Sequence, residues 1–96
     1  MKFTWDRDKS DANLAARGFD FQFATLIFDG PTLEQEDTRR DYGERRLVAV
    51  GLAQGIALTV VYSDRSSAPG PERRIISARR SNRRERKAYE EALPTR

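Results

Sequence analysis

The stretch Arg46-Leu47-Val48-Ala49-Val50-Gly51-Leu52-Ala53-Gln54-Gly55-Ile56-Ala57-Leu58-Thr59-Val60-Val61-Tyr62 decides the fold. Two runs rich in β-branched and aliphatic residues flank Ala53-Gln54-Gly55, a three-residue connection ending in glycine, and this pattern predicts an antiparallel hairpin. Downstream, Ser66, Ser67, Pro69, Gly70 and Pro71 read as a loop. Residues 73–79, centred on Ile75-Ile76, then return as a third strand. Upstream, residues 34–46 mix Glu34, Glu36, Asp37, Asp41 and Glu44 with Arg39, Arg40, Arg45 and Arg46, with almost nothing apolar to bury. A loop containing a short edge strand is expected there.

Outside this block the helical signals gather. Phe3-Thr4-Trp5 alternates as a short strand would, Asp6 is placed to cap a helix over residues 6–17, and Gly18 suits its left-handed end. The apolar residues of that helix are Ala12, Leu14, Ala15 and Ala16. Asp20 caps a second helix whose Phe21, Phe23, Ala24, Ile27 and Phe28 share one face, and Asp29-Gly30-Pro31 stops it. Asn82 opens a last helix with a narrow stripe of Ala88, Tyr89, Ala92 and Leu93 among Arg83, Arg84, Arg86 and Lys87. The order predicts one small α+β domain over residues 1–96: β-α-α, a three- to four-stranded antiparallel sheet, and a C-terminal helix. Gly18, Gly30, Gly43, Gly51, Gly55 and Gly70 stand isolated, as turn glycines do, and none forms a phosphate-cradling loop.

Composition limits the chemistry. With no cysteine and no histidine among 96 residues, disulfides, thiolate or imidazole metal sites and imidazole acid-base catalysis are excluded. Carboxylates, Tyr, Lys, Arg and backbone groups remain, so no metal and no cofactor is expected. No apolar run approaches the roughly 20 residues of a membrane span, and Met1-Lys2-Phe3-Thr4-Trp5-Asp6 lacks the apolar stretch of a signal peptide, so a soluble cytoplasmic protein is expected. Charge is asymmetric: residues 72–96 hold nine basic and four acidic side chains, net +5, against net −2 for the rest. Such a cluster fits nucleic acid or an acidic protein partner, and equally a solvated helix face.

Several residues stand out as chemistry-bearing. If Ile76 and Ala78 face the core, alternation places Ser77 and Arg79 on the opposite, open face, where a fixed guanidinium holds phosphate with two parallel bonds. Charge on a strand also protects sheet edges from aggregation. Glu44 and Arg46 share one side of the hairpin's first strand, and pairing brings Tyr62, Asp64 and Arg65 close to them. That cluster reads either as ordinary ion pairs or as a base set beside an anion site. Trp5 and the phenylalanines offer stacking surface, which for Phe19, Phe21, Phe23 and Phe28 is needed for the core.

Three motifs together carry a family resemblance: Phe3-x-Trp5-Asp6-x-x-Lys9-x-x-x-Asn13, Gly43-Glu44-x-Arg46, and Arg74-Ile75-Ile76-Ser77-Ala78-Arg79 with Arg84-Glu85-Arg86-x-x-Tyr89. Over about residues 3–91 the chain resembles the BrnT toxins of bacterial type II toxin-antitoxin pairs. The resemblance implies a RelE-like α+β fold, metal-independent RNA cleavage that arrests translation, and a hetero-oligomer with an antitoxin carrying a DNA-binding module of the ribbon-helix-helix type. Where the family commonly has Lys-His-Gly, this chain has Ala16-Arg17-Gly18. Cleavage by attack of a ribose 2′-hydroxyl on the adjacent phosphate makes Glu44 the candidate base, Arg46 and Arg79 the phosphate clamp, and Arg65 the group at the leaving oxygen. Lys9, Arg17, Tyr62, Arg80, Arg83 and Arg84 complete the expected RNA-binding set. The competing class is a non-catalytic nucleic-acid or protein interaction module using the same arginines.

Overall fold

The predicted hairpin lies inside a five-stranded sheet of order β1-β5-β4-β3-β2. A computed structural model describes residues 1–67 and 70–93 of the chain. Strand β1 (Lys2–Trp5) leads to helix α1 (Arg7–Arg17), helix α2 (Phe21–Ala24) and a 3₁₀ turn (Thr25–Asp29). Strands β2 (Leu33–Glu36), β3 (Leu47–Ala53), β4 (Ile56–Ser67) and β5 (Gly70–Arg80) follow, then helix α3 (Arg83–Ala92). β2, β3, β4 and β5 are the four antiparallel strands expected, and β1, expected as a separate strand, joins their edge in parallel with β5, which makes the sheet mixed. Among the described residues, no helix is long and apolar enough to cross a membrane.

The β3–β4 turn is tighter than its sequence suggests. Ala53 pairs with Ile56, which leaves Gln54 (φ 49°) and Gly55 (φ 82°) as a two-residue turn with both residues left-handed, matching the twist of the strands. The loop expected at Ser66, Ser67, Gly70 and Pro71 is instead ladder: Ser66 faces Pro71 and Ser67 faces Gly70. Oppositely charged neighbours carry the pairing that far. Arg65 lies across from Glu72, and Arg73 forks onto Asp64 at 2.7 and 2.9 Å. Pro69, the rest of that expected loop, lies outside the described residues.

A bulge on β5 corrects the predicted alternation. Val61 pairs with Ser77 but Tyr62 pairs with Ile75, so Ile76 is the extra residue. Ile75 and Ala78, not Ile76 and Ala78, are buried, while Ser77 and Arg79 remain exposed. Gly51 is another correction, because it sits within β3 and not in a turn. A Cβ there would lie 3.0 Å from the Ile27 Cβ, so its lack of a side chain lets the 3₁₀ turn press onto the sheet.

The core fills one face of the sheet. Phe21, Ala24 and Ile27 pack on Ala49, Ala53, Leu58, Val60, Tyr62, Ile75 and Ala78. Phe19 belongs to the same cluster, with Phe23, Phe28 and Trp5 half-buried against it. Helix α1 contributes through its polar side: Ala12, Leu14, Ala15 and Ala16 are exposed, Leu14 to 49%. Buried Ser10 accepts from the Phe21 amide at 2.9 Å, and buried Asn13 donates to the Phe19 carbonyl at 2.9 Å. The α1–α2 connection passes beneath the helix, and its backbone groups need partners more than its surface needs methyl groups. Helix α3 buries no residue and rests beside the opposite face by polar contacts, among them the Tyr89 hydroxyl donating to the Pro31 carbonyl at 2.9 Å.

Candidate functional site

The second face of the sheet is open in part: Val50, Thr59 and Ser63 are buried, Val48 and Val61 half-buried, and Gln35, Ser77 and Arg79 exposed. Its residues follow from alternation: Leu33 and Gln35 on β2, Val48 and Val50 on β3, Thr59 and Val61 on β4, Ser77 and Arg79 on β5. With α3 and the segment Asp37-Thr38-Arg39 as rims, they line a groove of about 670 Å³. Arg17, Arg39, Arg79 and Arg84 all border it. Glu36, Asp37 and Glu85 border it too, and since Asp37 and Glu85 pair with Arg39 and Arg79, the guanidinium groups left to attract an anion are those of Arg17 and Arg84, charged at every working pH.

Two carboxylate-arginine clusters occupy this face. At the α3 end, Arg79 donates from Nη1 and Nη2 to the two oxygens of Glu85, both at 2.7 Å. Glu85 also accepts from the Asn82 amide at 2.9 Å and the Thr59 hydroxyl at 3.0 Å, while Thr59 shares a buried 2.8 Å bond with Ser81. The same Glu85 is the N3 member of the capping box that starts α3. The Arg79 hydrogen bond, with help from the Asn82 amide and Thr59 and against the cost of burial, holds its carboxyl at about 2.

The other cluster lies further along β4. Ser63 is four residues from Thr59 on the same face, about 13 Å away. There Glu44 accepts from Arg46 Nε at 3.3 Å, Arg65 Nη2 at 3.4 Å and the Ser63 hydroxyl at 3.3 Å. Burial pushes the Glu44 carboxyl up, but the hydrogen bonds and charges of Arg46 and Arg65, with Ser63, outweigh it and leave the group below the usual carboxylate range. The Arg46 guanidinium also stacks 4.0 Å from the Tyr42 ring centroid. Between the clusters on the rim, Asp37 takes both Arg39 nitrogens at 2.9 Å and the Tyr42 hydroxyl at 3.2 Å, and the Arg39 bonds hold its carboxyl well below the usual range.

The residues singled out from sequence therefore separate. Glu44, Arg46 and Arg65 come together, and Arg79 stands in the other cluster. Arg84 and Arg17 border the groove, where Arg17 Nη1 donates to Asn13 at 2.9 Å and to the Ala78 carbonyl at 3.2 Å, on the β5 edge beyond the end of β1. Arg80 points to the helical side, beside Leu14, Phe19 and Ile56, because it follows Arg79 by one residue on a strand. Lys9 and Arg83 are exposed in the first turns of α1 and α3 and do not line the groove.

Tyr62 is corrected outright. Its parity on β4 turns it into the core at 1% exposure, edge-on to Phe28, with its hydroxyl donating to Glu34 and Arg73 stacked 4.1 Å over its ring. Burial and Glu34 raise its phenol above the ordinary value, and its ring and hydroxyl lie on the core side, away from the groove. Asp64 likewise points to that face, onto Arg73, and leaves the Glu44 cluster.

Glu85, Thr59, Arg39 and Asp37 were not among the expected site residues. The spacing Asn82-x-x-Glu85 is a capping-box signal that aims Glu85 back at the strand end, so one of them was readable. Among the described residues, no group of three His, Cys, Asp or Glu side chains gathers to hold a metal ion.

Among curated proteins, none matches the chain. A family model described as the ribonuclease toxin BrnT of type II toxin-antitoxin systems matches residues 5–85. The matched segment runs from the end of β1 to the first turn of α3 and contains both carboxylate-arginine clusters. The chain belongs to the BrnT family of ribonuclease toxins of type II toxin-antitoxin systems.

Proposed function

We propose that this toxin cuts single-stranded RNA on the open face of its sheet without a metal ion, with Glu44, Arg46 and Arg65 as the cleavage centre. The observation that carries this reading is the connectivity of the Glu44 cluster: Glu44 takes single bonds of 3.3 and 3.4 Å from two different arginines, where Asp37 and Glu85 each take a two-bonded fork from one arginine at 2.7 to 2.9 Å. A phosphodiester arriving there draws Arg46 and Arg65 away, since guanidinium forks suit phosphate oxygens. Glu44 then loses the bonds that lower its pKa and gains an anionic neighbour, so its affinity for a proton rises as substrate binds. It takes the proton of the ribose 2′-hydroxyl. O2′ forms its bond to phosphorus and the bond to O5′ breaks, leaving a 2′,3′-cyclic phosphate. Arg46 stabilises the charge on phosphorus, Arg65 stabilises the departing O5′, and a water relays the proton from Glu44 to O5′, which leaves a 5′-hydroxyl and restores the carboxylate.

Arg79 acts at one remove in this reading. Both of its amino groups are engaged by Glu85, so it fixes the start of α3 and thereby Arg84, which with Arg17 follows the phosphates of the flanking chain. Loss of cellular RNA by such cutting arrests translation in the cytoplasm. The charged groove is the surface an antitoxin with a ribbon-helix-helix type DNA-binding module neutralises, as a hetero-oligomer with the toxin. A second reading, a module that binds RNA or protein without cutting, draws support from the arginine partners held by Glu44, Asp37 and Glu85, since such carboxylates are weak bases in the free protein.

The discriminating experiment is incubation of the purified full chain with single-stranded RNA in excess EDTA. Cleavage with 2′,3′-cyclic phosphate and 5′-hydroxyl ends is expected. RNA that is bound and left intact, in EDTA and on adding Mg²⁺ alike, contradicts the enzyme and favours the module; cleavage restored by Mg²⁺ alone contradicts the metal-free mechanism.

A further inference from the structure

Between the two clusters runs a row of four residues in direct register: Gln35 on β2, Val48 on β3, Val61 on β4 and Ser77 on β5. All four line the groove; the valines are half-buried, and Gln35 and Ser77 are exposed. The row lies two residues from Ser63 and two from Thr59 along β4, about 7 Å from each cluster. Two adjoining valines on an open face, flanked on both sides by arginines, contribute nothing to the core on the other side of the sheet. They form a flat apolar floor within reach of two phosphate-binding positions. The groove's acids at this point are engaged: Glu36 with Arg45 at 3.2 Å, Asp37 with Arg39 at 2.9 Å and Glu85 with Arg79 at 2.7 Å. Neutral polar groups stand at both ends of the floor, the Ser77 hydroxyl at one and the Gln35 amide at the other, and of the two the amide offers an adjacent donor and acceptor.

We propose that this row seats one unstacked nucleobase next to the bond that is cut, and that Gln35 reads its edge, selecting adenine. A nucleotide whose phosphate lies at Arg46 and Arg65 lays its base over Val48 and Val61, as bases drawn from their stack settle on apolar side chains. A glutamine amide matches the N6 donor and N7 acceptor of adenine with two bonds. The inference rests on the cleavage reading above and adds its sequence preference.

The test maps 5′-hydroxyl ends produced from a random-sequence single-stranded RNA by the full chain and by its Gln35→Ala, Gln35→Glu and Val61→Ser variants. Gln35 is exposed on an edge strand, so its variants leave packing untouched. The parent is expected to favour adenine at one fixed position beside the cut by about tenfold. Gln35→Ala flattens that preference, and Val61→Ser weakens it. Gln35→Glu turns it toward guanine, whose N1–H and N2–H donors suit a carboxylate. Parent cleavage with identical base preferences in all four proteins overturns the inference while leaving the ribonuclease reading intact. Unchanged preferences with loss of the antitoxin complex in the variants overturn it by assigning the row to a protein interface. A parent that cuts no RNA removes both readings.

Discussion

Glu85 and Glu44 sit on the same face of the same sheet, each bound by arginine and by a hydroxyl of β4, and yet they are different devices. Exposure does not separate them: the side chains are 21% and 29% exposed. Geometry and connectivity do. Glu85 receives a two-bonded fork at 2.7 Å from one arginine, closes a capping box and touches a buried Thr59–Ser81 pair, so three elements depend on it. Glu44 receives single bonds from two arginines at 3.3 and 3.4 Å, in a bend between β2 and β3. An ion pair that joins elements is a fastener; one whose partners have other nitrogens unused is open to exchange with a ligand. Arginine and carboxylate in proximity are therefore poor evidence of function until the number of bonds and their attachments are known.

The comparison breaks if the two acids respond alike to removal. The largest effect is expected from Glu44→Gln, which keeps shape and removes proton acceptance: cleavage falls by roughly 10² to 10⁴ while RNA affinity is held or rises. Its thermal midpoint should move little, because the amide still accepts from Arg46, Arg65 and Ser63, and single ion-pair bonds of this length contribute about 0 to 1 kcal/mol. Single-turnover kinetics with fluorescence-anisotropy binding reads both. A rate equal to the parent's rejects Glu44 as the base.

Glu85→Gln should show the inverse pattern. Loss of charge-assisted bonds to Arg79 and weakening of the cap cost about 2 kcal/mol, which for a chain of this size lowers the melting temperature by roughly 10 °C. Cleavage per folded molecule should stay within a few-fold of the parent. Calorimetry beside the same kinetic assay checks this, and a variant that melts like the parent but has lost cleavage would make Glu85 part of the chemistry.

A smaller effect sharpens the contrast by pH. Glu85 is held at about 2 when folded, below its unfolded value of 4.5, so the unfolded chain binds the proton more readily. The stability it supplies is present in full above about 4.5 and is lost as pH falls toward 2. Chemical denaturation across that window should give a steeper acid loss for the parent than for Glu85→Gln. Parallel curves would show that the fork contributes little.

How much of this was legible in the sequence depends on what set each feature. The β3–β4 hairpin was readable because β-branched runs and a Gln-Gly turn are local signals. Arg79 and Ser77 kept their predicted face even though Ile76 did not, because the bulge adds one residue on their N-terminal side and the alternation resumes after it. Hairpin pairing correctly brings the end of β4 beside Glu44, but it does not set the face, and parity on a twelve-residue strand sends Tyr62 and Asp64 to the core side. The inward side of helix α1 was not legible, because the residues it buries are the polar Ser10 and Asn13, which serve the backbone of the next connection. The division between the clusters was the least legible feature. It depends on Glu85 meeting Arg79 across a strand-to-helix corner, and only the capping-box spacing hinted at that.

The central claim is that substrate loosens one of these pairs and leaves the other closed. It is tested most directly by following the carboxyl carbons of Glu44 and Glu85 by NMR through a pH titration, with and without a single-stranded RNA made uncleavable by 2′-O-methylation. The account predicts that the Glu44 carboxyl, held below the usual range in the free protein, moves upward when the oligonucleotide binds, while Glu85 stays at about 2. A Glu44 titration unmoved by bound RNA, or a Glu85 that rises in its place, would contradict it.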